Sequence, residues 1–173
     1  MSESLHILIV DDEEPIRLFL GQVLRQAGYR VSTVTSGEEA LFTLYEDAVD
    51  LVLLDLRMDG IGGLQVMTKM EKLALPPVVI ILTAYDDEEQ IYHAIRIGAS
   101  AYFAKDVDPG HLLDTVRMVA EGYYVIAGKR MTPGQAEQWL LERYRRYGLK
   151  PEDTTFSPLT DREMEILELI IEG

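Results

Sequence analysis

Charged and hydroxyl side chains stand at the ends of four short apolar segments of this chain. Asp11 and Asp12 follow the first segment, Asp55 follows the second, Thr83 ends the third and Lys105 follows the fourth. Segments this short and this apolar are typical of buried parallel strands, whose carboxyl ends meet at one edge of a sheet. We therefore expect three carboxylates, a hydroxyl and an ammonium to lie close together. Such a group of side chains suits the binding of a divalent cation and a phosphoryl group.

The three carboxylates have the character of a magnesium site. Magnesium prefers oxygen ligands and binds through one or two carboxylates together with water and phosphate oxygens. We predict that Asp12 and Asp55 bind Mg2+ directly and that Asp11 orients a bound water. The backbone carbonyl of Arg57 is close enough in sequence to add a ligand. Because neighbouring carboxylates raise one another's pKa, the ion would also keep Asp55 ionised, and an ionised aspartate is a nucleophile that can form an aspartyl phosphate.

The amine and the hydroxyl fit the transfer of a phosphoryl group to Asp55. The transferred group spreads negative charge over its oxygens, so its transfer depends on positioning and charge neutralisation more than on acid–base chemistry. We expect Lys105 to share that neutralisation with the metal ion. Thr83 can donate its hydroxyl to one phosphoryl oxygen, and the small side chain of Ala84 leaves its backbone N–H open to another.

Each of these residues also has a structural explanation when it is taken alone. Asp11 and Asp12 would cap the helix that follows them, and Asp55 would be a turn residue. Thr83 is a good strand former, and Lys105 would be a solvated charge. Capping and turn residues have no reason to converge on one edge of one sheet, so the joint pattern favours a site.

The order of the predicted elements defines the fold class. Five apolar strands alternate with five helices over about 122 residues, and the helices are marked by acidic or proline-containing first turns and by glycine at their ends. This alternation predicts an α/β fold of parallel βαβ units. We expect a doubly wound, flavodoxin-like sheet of five parallel strands with helices on both faces.

Composition limits the kinds of protein that this chain can be. It has 173 residues, a formal charge of −14 and no cysteine, which excludes disulfides and thiolate metal sites. The three histidines lack the spacing of metal ligands. No segment is long and apolar enough to span a membrane, and the N-terminus lacks the basic start of an export signal. We predict a soluble, cytoplasmic protein without a membrane partner.

Charge divides the chain into regions. Residues 1–127 carry 21 acidic and nine basic side chains and form the predicted body, which should repel nucleic acid. Residues 128–150 have a net charge of +4 and the pattern of one basic amphipathic helix. Residues 151–158 are predicted to be a linker. Residues 159–173 are predicted to form one more helix with an apolar stripe, and residues 151–173 together carry a net charge of −6.

This pattern resembles the receiver domain of two-component response regulators. The resemblance covers residues 5–122 and consists of an acidic pair after strand one, an aspartate after strand three, Thr-Ala after strand four, and a lysine after strand five with an aromatic residue three positions earlier. It implies that Asp55 accepts a phosphoryl group from a sensor histidine kinase. It also implies that Asp11 and Asp12 serve Mg2+.

The same resemblance assigns roles to further residues. Thr83 and Lys105 would hold the phosphoryl oxygens, and Tyr102 would be an aromatic switch that turns inward when Thr83 is drawn to the phosphate. The residues two positions after the phosphoacceptor and after Thr83, which are Arg57 and Tyr85, would tune the lifetime of the phosphate.

The chain departs from the usual receiver pattern at two places. Asp106 follows Lys105, where many receivers have a proline reached through a cis peptide. Because a non-proline cis bond costs about 3 kcal/mol, we expect a trans or a strained peptide there. The loop after Asp55 reads Met-Asp-Gly at residues 58–60, where Met-Pro is common. The loop therefore lacks the proline that would stiffen it.

The tail resembles the opening of a LuxR/NarL-type DNA-binding domain and covers only its first helix. The matching residues are Leu159, Thr160, Arg162, Glu163, Glu165, Leu167, Leu169, Ile170 and Gly173. A helix-turn-helix contacts DNA with its second helix, so we expect a truncated domain that binds DNA only through its missing part. The basic segment 128–150 is either a helix docked on the body by Trp139 and Leu140 or an element for dimerisation or DNA approach.

The sequence favours a phosphorylation switch. We predict a response regulator that accepts a phosphoryl group on Asp55, changes the surface of its fourth helix, fifth strand and fifth helix, and so controls a transcriptional output, with homodimerisation as one outcome. It would be a signalling module and not an enzyme, apart from slow self-dephosphorylation.

Two alternatives belong to other classes of protein. A haloacid dehalogenase-like phosphatase also has a doubly wound sheet and an aspartate nucleophile, but that family has Asp-x-Asp after its first strand, which residues 11–14 do not match. A receiver that acts as a binding scaffold without phosphorylation is the second alternative. Labelling of Asp55 by a small acyl phosphate separates these hypotheses.

Overall fold

A seven-stranded sheet with helices on both faces forms the body of the protein in a computed structural model, which describes residues 4–83 and 88–147. The strands are β1 (His6–Val10), β2 (Arg30–Val34), β3 (Leu51–Asp55), β4 (Val78–Thr83), β5 (Ala101–Ala104), β6 (Tyr124–Ile126) and β7 (Lys129–Met131). The helices are α1 (Glu14–Gln26), α2 (Gly37–Glu46), α3 (Gly63–Met70), α4 (Glu88–Arg96), α5 (Pro109–Ala120) and α6 (Pro133–Tyr147).

The strand order is β2-β1-β3-β4-β5-β6-β7. Strands β1 to β5 pair in parallel, β6 continues in parallel beside β5, and β7 returns antiparallel to β6. The chain leaves β1 toward β2 on one side and later adds β3 on the other, so the ends of β1 and β3 flank the crevice where open α/β sheets bind ligands. The predicted doubly wound parallel fold is confirmed, and the sheet has two strands more than the predicted five.

The hydrophobic core has two layers, one on each face of the sheet. Along β1, Ile7 and Ile9 pack in the layer with α1 and α5, whereas Leu8 and Val10 pack in the layer with α2, α3 and α4. Because both faces are covered, every residue of β1 and of β3 is buried, which explains their continuously apolar sequences. This double coverage holds the strand ends, and the side chains on them, in fixed positions.

Residues 124–131 form a β-hairpin that the sequence did not predict. Ala127 and Gly128 join its two strands, and their φ angles of 53° and 73° lie in the left-handed region that two-residue hairpin turns require. Such turns are usually marked by Asn-Gly, Asp-Gly or Gly-Gly. Here the second residue is the expected glycine, but the first is alanine, which is not typical of such turns. The predicted boundary between residues 127 and 128 therefore falls in the turn of this hairpin, and the basic helix begins at Pro133 and not at Gly128.

The sixth helix packs on the face of the sheet that carries α4. Trp139 is 8% exposed and Ala136 is 2% exposed, and both belong to the apolar layer that includes α4. Leu140 is partly buried against the same layer. For residues 133–147 the structure therefore agrees with the interpretation of a docked helix.

Some predictions concern residues outside the described ranges. They involve Ala84, Tyr85, the linker at residues 151–158 and the final helix at residues 159–173. Within the described ranges, no helix has the length and apolarity that crossing a membrane requires.

Gly63, the first residue of α3, allows this helix to pack directly on the end of β3. A Cβ atom at this position would lie 2.6 Å from the carbonyl oxygen of Asp55 and 2.8 Å from Cα of Leu56. Both neighbours are backbone atoms, so the overlap can be relieved only by moving the end of β3. The glycine therefore helps to fix the strand end on which Asp55 stands.

Replacing Gly63 by alanine should destabilise the protein by about 2 kcal/mol, because the new methyl group overlaps the backbone of β3. Gly134→Ala is the matched control: Gly134 also lies in the first turn of a helix, but the nearest atom to its new Cβ would be Oγ1 of Thr132, at 3.9 Å. Urea unfolding followed by circular dichroism measures both. Equal stability of the two variants would contradict the proposed close approach.

Candidate functional site

The carboxyl ends of β1, β3, β4 and β5 bring the predicted residues to one edge of the sheet. Asp11 directly follows β1, Asp55 is the last residue of β3, Thr83 is the last residue of β4, and Lys105 directly follows β5. The backbone N–H of Lys105 donates to the carbonyl of Thr83 at 3.1 Å, which ties the last two strand ends together. The strand ends therefore converge as the sequence predicts.

The ammonium of Lys105 is the centre of the cluster. Its Nζ lies 2.9 Å from Oδ2 of Asp55 and 3.2 Å from Oδ2 of Asp11. Both carboxylates are almost completely buried, with exposed fractions of 1% for Asp55 and 0% for Asp11. One cation thus holds two buried anions that come from different strands.

Glu13 is a contact of Lys105 that the sequence analysis missed. Its Oε1 accepts a hydrogen bond from Lys105 Nζ at 2.7 Å, the shortest contact of the ammonium among the described residues. In the sequence, Glu13 has the ordinary explanation of an acidic residue at the start of a helix. The available signal was a third carboxylate directly after the acidic pair, at the strand end predicted to face Lys105.

Backbone donors orient the two buried carboxylates. Oδ1 of Asp11 accepts the N–H of Glu13 at 2.8 Å, and Oδ1 of Asp55 accepts the N–H of Arg57 at 3.0 Å. Nη1 of Arg17 donates to the backbone carbonyl of Asp11 at 2.8 Å and so holds the turn between β1 and α1. Lys105 donates to Oδ2 of Asp55 at 2.9 Å and to Oδ1 of Asp11 at 3.4 Å, and Oδ2 of Asp11 lies 3.2 Å from the same ammonium.

Burial and ion pairing shift the pKa values in this cluster. Burial raises the pKa of Asp55 to about 6, although hydrogen bonds from Lys105 and from the Arg57 N–H act in the opposite direction. Burial also raises the pKa of Asp11. Burial alone would lower the pKa of Lys105, but its hydrogen bonds to Glu13 and Asp55 outweigh that effect and raise the pKa. The lysine is therefore charged at neutral pH.

The acidic residues fit a divalent cation. Carboxylate oxygens of Asp11, Asp12 and Asp55 all lie within 4.8 Å of one another. Asp12 is exposed, which leaves solvent access to one side of the group. Oδ2 of Asp11 is buried and, although it is near the ammonium of Lys105, receives no hydrogen bond among the described residues. A hard cation such as Mg2+ would satisfy such an oxygen.

The structure places the remaining candidates around this cluster. Thr83 is 8% exposed at the end of β4. Arg57 is exposed in the loop after β3. The role of its backbone carbonyl as a metal ligand remains a prediction. Tyr102 is partly buried, and its hydroxyl accepts a hydrogen bond from the N–H of Ala127 at 3.2 Å. The described part of the chain contains no cis peptide bond, so the peptide after Lys105 is trans.

The fold and the site together define the class of the protein. A doubly wound α/β sheet with paired acidic residues, a buried aspartate and a lysine at its strand ends is the architecture of a signalling domain with a modifiable aspartate. Residues 7–117 match the family described as the response regulator receiver domain. The chain belongs to this family, and the receiver fold is that of a molecular switch. The phosphatase alternative is not supported.

Individual relatives agree with this assignment. The chain is 30% identical to a nitrate/nitrite response regulator protein homolog of Haemophilus influenzae, over 100% of this chain and 78% of the relative. It is 31% identical to the response regulator protein VraR of Staphylococcus epidermidis, over 98% and 77% of the two chains. The crystal structure of a CheY-like receiver domain protein from Methanospirillum hungatei has a TM-score of 0.65 and 28% identity, covering 69% of this chain and 95% of the other.

Replacing Asp55 by asparagine should stabilise the protein at neutral pH. The pKa of Asp55 is about 6 in the folded protein and 3.8 ordinarily, so the folded state holds the proton more tightly and loses stability as pH rises from about 4 to about 6. The asparagine variant avoids this loss. It should be more stable by up to about 3 kcal/mol near pH 7.5 without Mg2+ and show little gain near pH 4.

The measurement is urea unfolding at both pH values. Asp59→Asn is the matched control, because Asp59 is an exposed carboxylate in the loop that follows β3. The control should leave stability unchanged at either pH. An Asp55→Asn variant that is less stable than the wild type near pH 7.5 would refute the assigned pKa direction.

Proposed function

We propose that Asp55 accepts a phosphoryl group from a sensor histidine kinase in a Mg2+-dependent reaction, and that this modification switches a transcriptional output. The observation that carries the proposal is the contact of 2.9 Å between Lys105 Nζ and the buried carboxylate of Asp55, beside the carboxylates of Asp11 and Asp12. This arrangement offers a nucleophile, a fixed positive charge and metal ligands within one small volume. Membership of the receiver family supports the same function.

In the proposed reaction a carboxylate oxygen of Asp55 attacks the phosphorus atom of the phosphohistidine. A bond between this oxygen and phosphorus forms as the bond between phosphorus and the histidine nitrogen breaks, and the nitrogen keeps the electron pair. The N–H of Arg57 holds Oδ1 of Asp55 and so fixes the carboxylate plane. Mg2+, held by Asp11, Asp12, Asp55 and the carbonyl of Arg57, would neutralise the charge of the transferred group.

Lys105 is proposed to exchange one anion for another. In the unmodified protein its ammonium binds carboxylates. After transfer it would bind a phosphoryl oxygen, which carries the negative charge that Asp55 has lost by becoming part of an acyl phosphate, a mixed anhydride. The Thr83 hydroxyl would donate to a second oxygen, with the backbone N–H of Ala84 serving a third. Arg57 and Tyr85 would control the access of the hydrolysing water and hence the lifetime of the phosphate.

The output is proposed to be a LuxR/NarL-type DNA-binding domain that begins in residues 159–173. Both relatives named above are response regulators, and their alignments cover 100% and 98% of this chain, well beyond the receiver match at residues 7–117, which supports an output segment after the receiver. We propose residues 1–127 as the receiver, residues 128–150 as the basic segment, which contains β7 and α6, and residues 151–158 as the linker; the first boundary lies in the turn of the β6–β7 hairpin. A cytoplasmic location and homodimerisation on phosphorylation complete the proposal.

Incubation with acetyl phosphate and Mg2+ tests the proposed acceptor. The wild type should gain the mass of one phosphoryl group, as measured by mass spectrometry of the intact protein, and chelation of Mg2+ should suppress the gain. Asp55→Asn should abolish labelling, and the exposed control Asp59→Asn should retain it. Labelling of the Asp55→Asn variant at the wild-type rate would refute the proposal, and absence of labelling in the wild type would favour the scaffold alternative.

The contact of Glu13 with Lys105 leads to a separate prediction. The Glu13 side chain is 55% exposed and holds the ammonium at the mouth of the site, where it adds negative charge in the path of an anionic phosphodonor. Glu13→Gln should therefore accelerate labelling by acetyl phosphate about 2- to 5-fold, because solvent screening limits the interaction to less than about 1 kcal/mol.

The control for this prediction is Glu14→Gln, which removes an exposed carboxylate of the same turn that has no described contact with Lys105. Initial rates of labelling at low and high salt give the comparison. The acceleration should shrink at high salt. A slower reaction of Glu13→Gln would mean that Glu13 positions Lys105 for transfer and does not compete for it.

A further inference from the structure

The β6–β7 hairpin and α6 lie beyond the part of the chain that matches the receiver family. The match ends at residue 117, and the hairpin and helix span residues 124–147. The turn of the hairpin binds Tyr102 on β5, and α6 packs on α4. These contacts connect an added unit to the strand that carries Lys105 at its end.

Tyr102 stands between the candidate site and the hairpin. In the register of β4 and β5, Tyr102 is paired with Ile81, and Ala104 is paired with Thr83. Residues two apart on a strand share a face, so Tyr102 and Thr83 are diagonal neighbours on one face, within reach of an aromatic side chain. The Tyr102 hydroxyl instead accepts the N–H of Ala127. A movement of the Tyr102 ring toward Thr83 would carry its hydroxyl away from the N–H of Ala127.

The hydrogen bond from Ala127 supports a strained turn. Ala127 is the one non-glycine residue with a positive φ in the described part of the chain, at 53°. The left-handed conformation is unfavourable for alanine because its Cβ crowds the backbone. Losing the hydrogen bond to Tyr102 would remove a contact that offsets this strain, so the turn depends on the position of the tyrosine.

The docking of α6 combines a buried aromatic anchor with imperfect polar contacts. The Arg143 guanidinium lies over the ring of Trp139 at 4.2 Å, and Arg143 Nε is 3.6 Å from Oε1 of Glu88 on α4, too long for a hydrogen bond. Nε1 of Trp139 is buried, and no described residue accepts its hydrogen. A buried N–H without an acceptor opposes docking, so α6 is held less firmly than its apolar contacts alone would hold it.

We propose that the hairpin and α6 form a releasable cover over α4, and that the Tyr102 hydroxyl couples its docking to the phosphorylation state of Asp55. This inference rests on the proposed function. With Asp55 unmodified, Tyr102 binds Ala127 and the cover is closed. When the phosphoryl group draws Thr83 toward it, Tyr102 moves beside Thr83, the N–H of Ala127 loses its acceptor and α6 leaves α4.

Trp139 is the single tryptophan of the chain, so its fluorescence reports the docking of α6. Tyr102→Phe keeps the ring and removes only the hydroxyl; in the unphosphorylated full chain it should raise the acrylamide quenching constant of Trp139 at least about 2-fold. Tyr124→Phe is the matched control, because the hydroxyl of this β6 tyrosine has no described hydrogen bond, and it should leave quenching unchanged. Ala136→Arg places a charge at a buried position of α6 and gives the value for the released helix.

The coupling is tested by adding acetyl phosphate and Mg2+ while labelling is followed by mass in the same samples. Quenching in the wild type should rise toward the Ala136→Arg value, and quenching in Asp55→Asn should not change. Unchanged quenching in Tyr102→Phe overturns the inference, and so does unchanged quenching in wild type that carries the label. Absence of labelling overturns the proposed function instead, and the Tyr102→Phe comparison then still decides whether the hydroxyl holds the cover closed.

Discussion

The charge balance around Lys105 is the interaction on which the rest of the site depends. Asp11 and Asp55 are removed from water almost completely, and buried anions are tolerated only when a cation lies beside them. One ammonium reaches both because the ends of β1, β3 and β5 are held in register by a sheet that is covered on both faces. The apolar strands and the close approach at Gly63 thus serve a single electrostatic requirement.

The cluster has an excess of negative charge, and this excess suits a switch. The single charge of Lys105 faces the carboxylates of Asp11, Glu13 and Asp55, with Asp12 close by, so the cluster has more negative than positive charge. Desolvation without full compensation is what raises the pKa of Asp55. A bound cation would reduce this excess of negative charge before an anionic phosphoryl group arrives.

Most of the fold and the contacts among Asp11, Asp55 and Lys105 could be predicted because buried parallel strands leave a strong local pattern, an apolar run followed by a polar residue. The hairpin could not, because a strand of three residues has no periodicity and its Ala-Gly turn lacks the usual residues. Glu13 was missed because an acidic residue in a first helical turn already has a sufficient local explanation. The partnership of Tyr102 with Ala127 depends on the three-dimensional path of the hairpin, which no sequence spacing encodes.

The hairpin also changes the border of the sheet. Without it, the start of β5, where Ala101 pairs with Val125, would present unpaired backbone groups to which foreign strands can add. With β6 and β7 in place, the outermost strand is only three residues long and carries the exposed cations Lys129 and Arg130. Short, positively charged edge strands resist the addition of further strands. The chain therefore protects itself from aggregation at this side, and self-association by sheet extension is directed away from it.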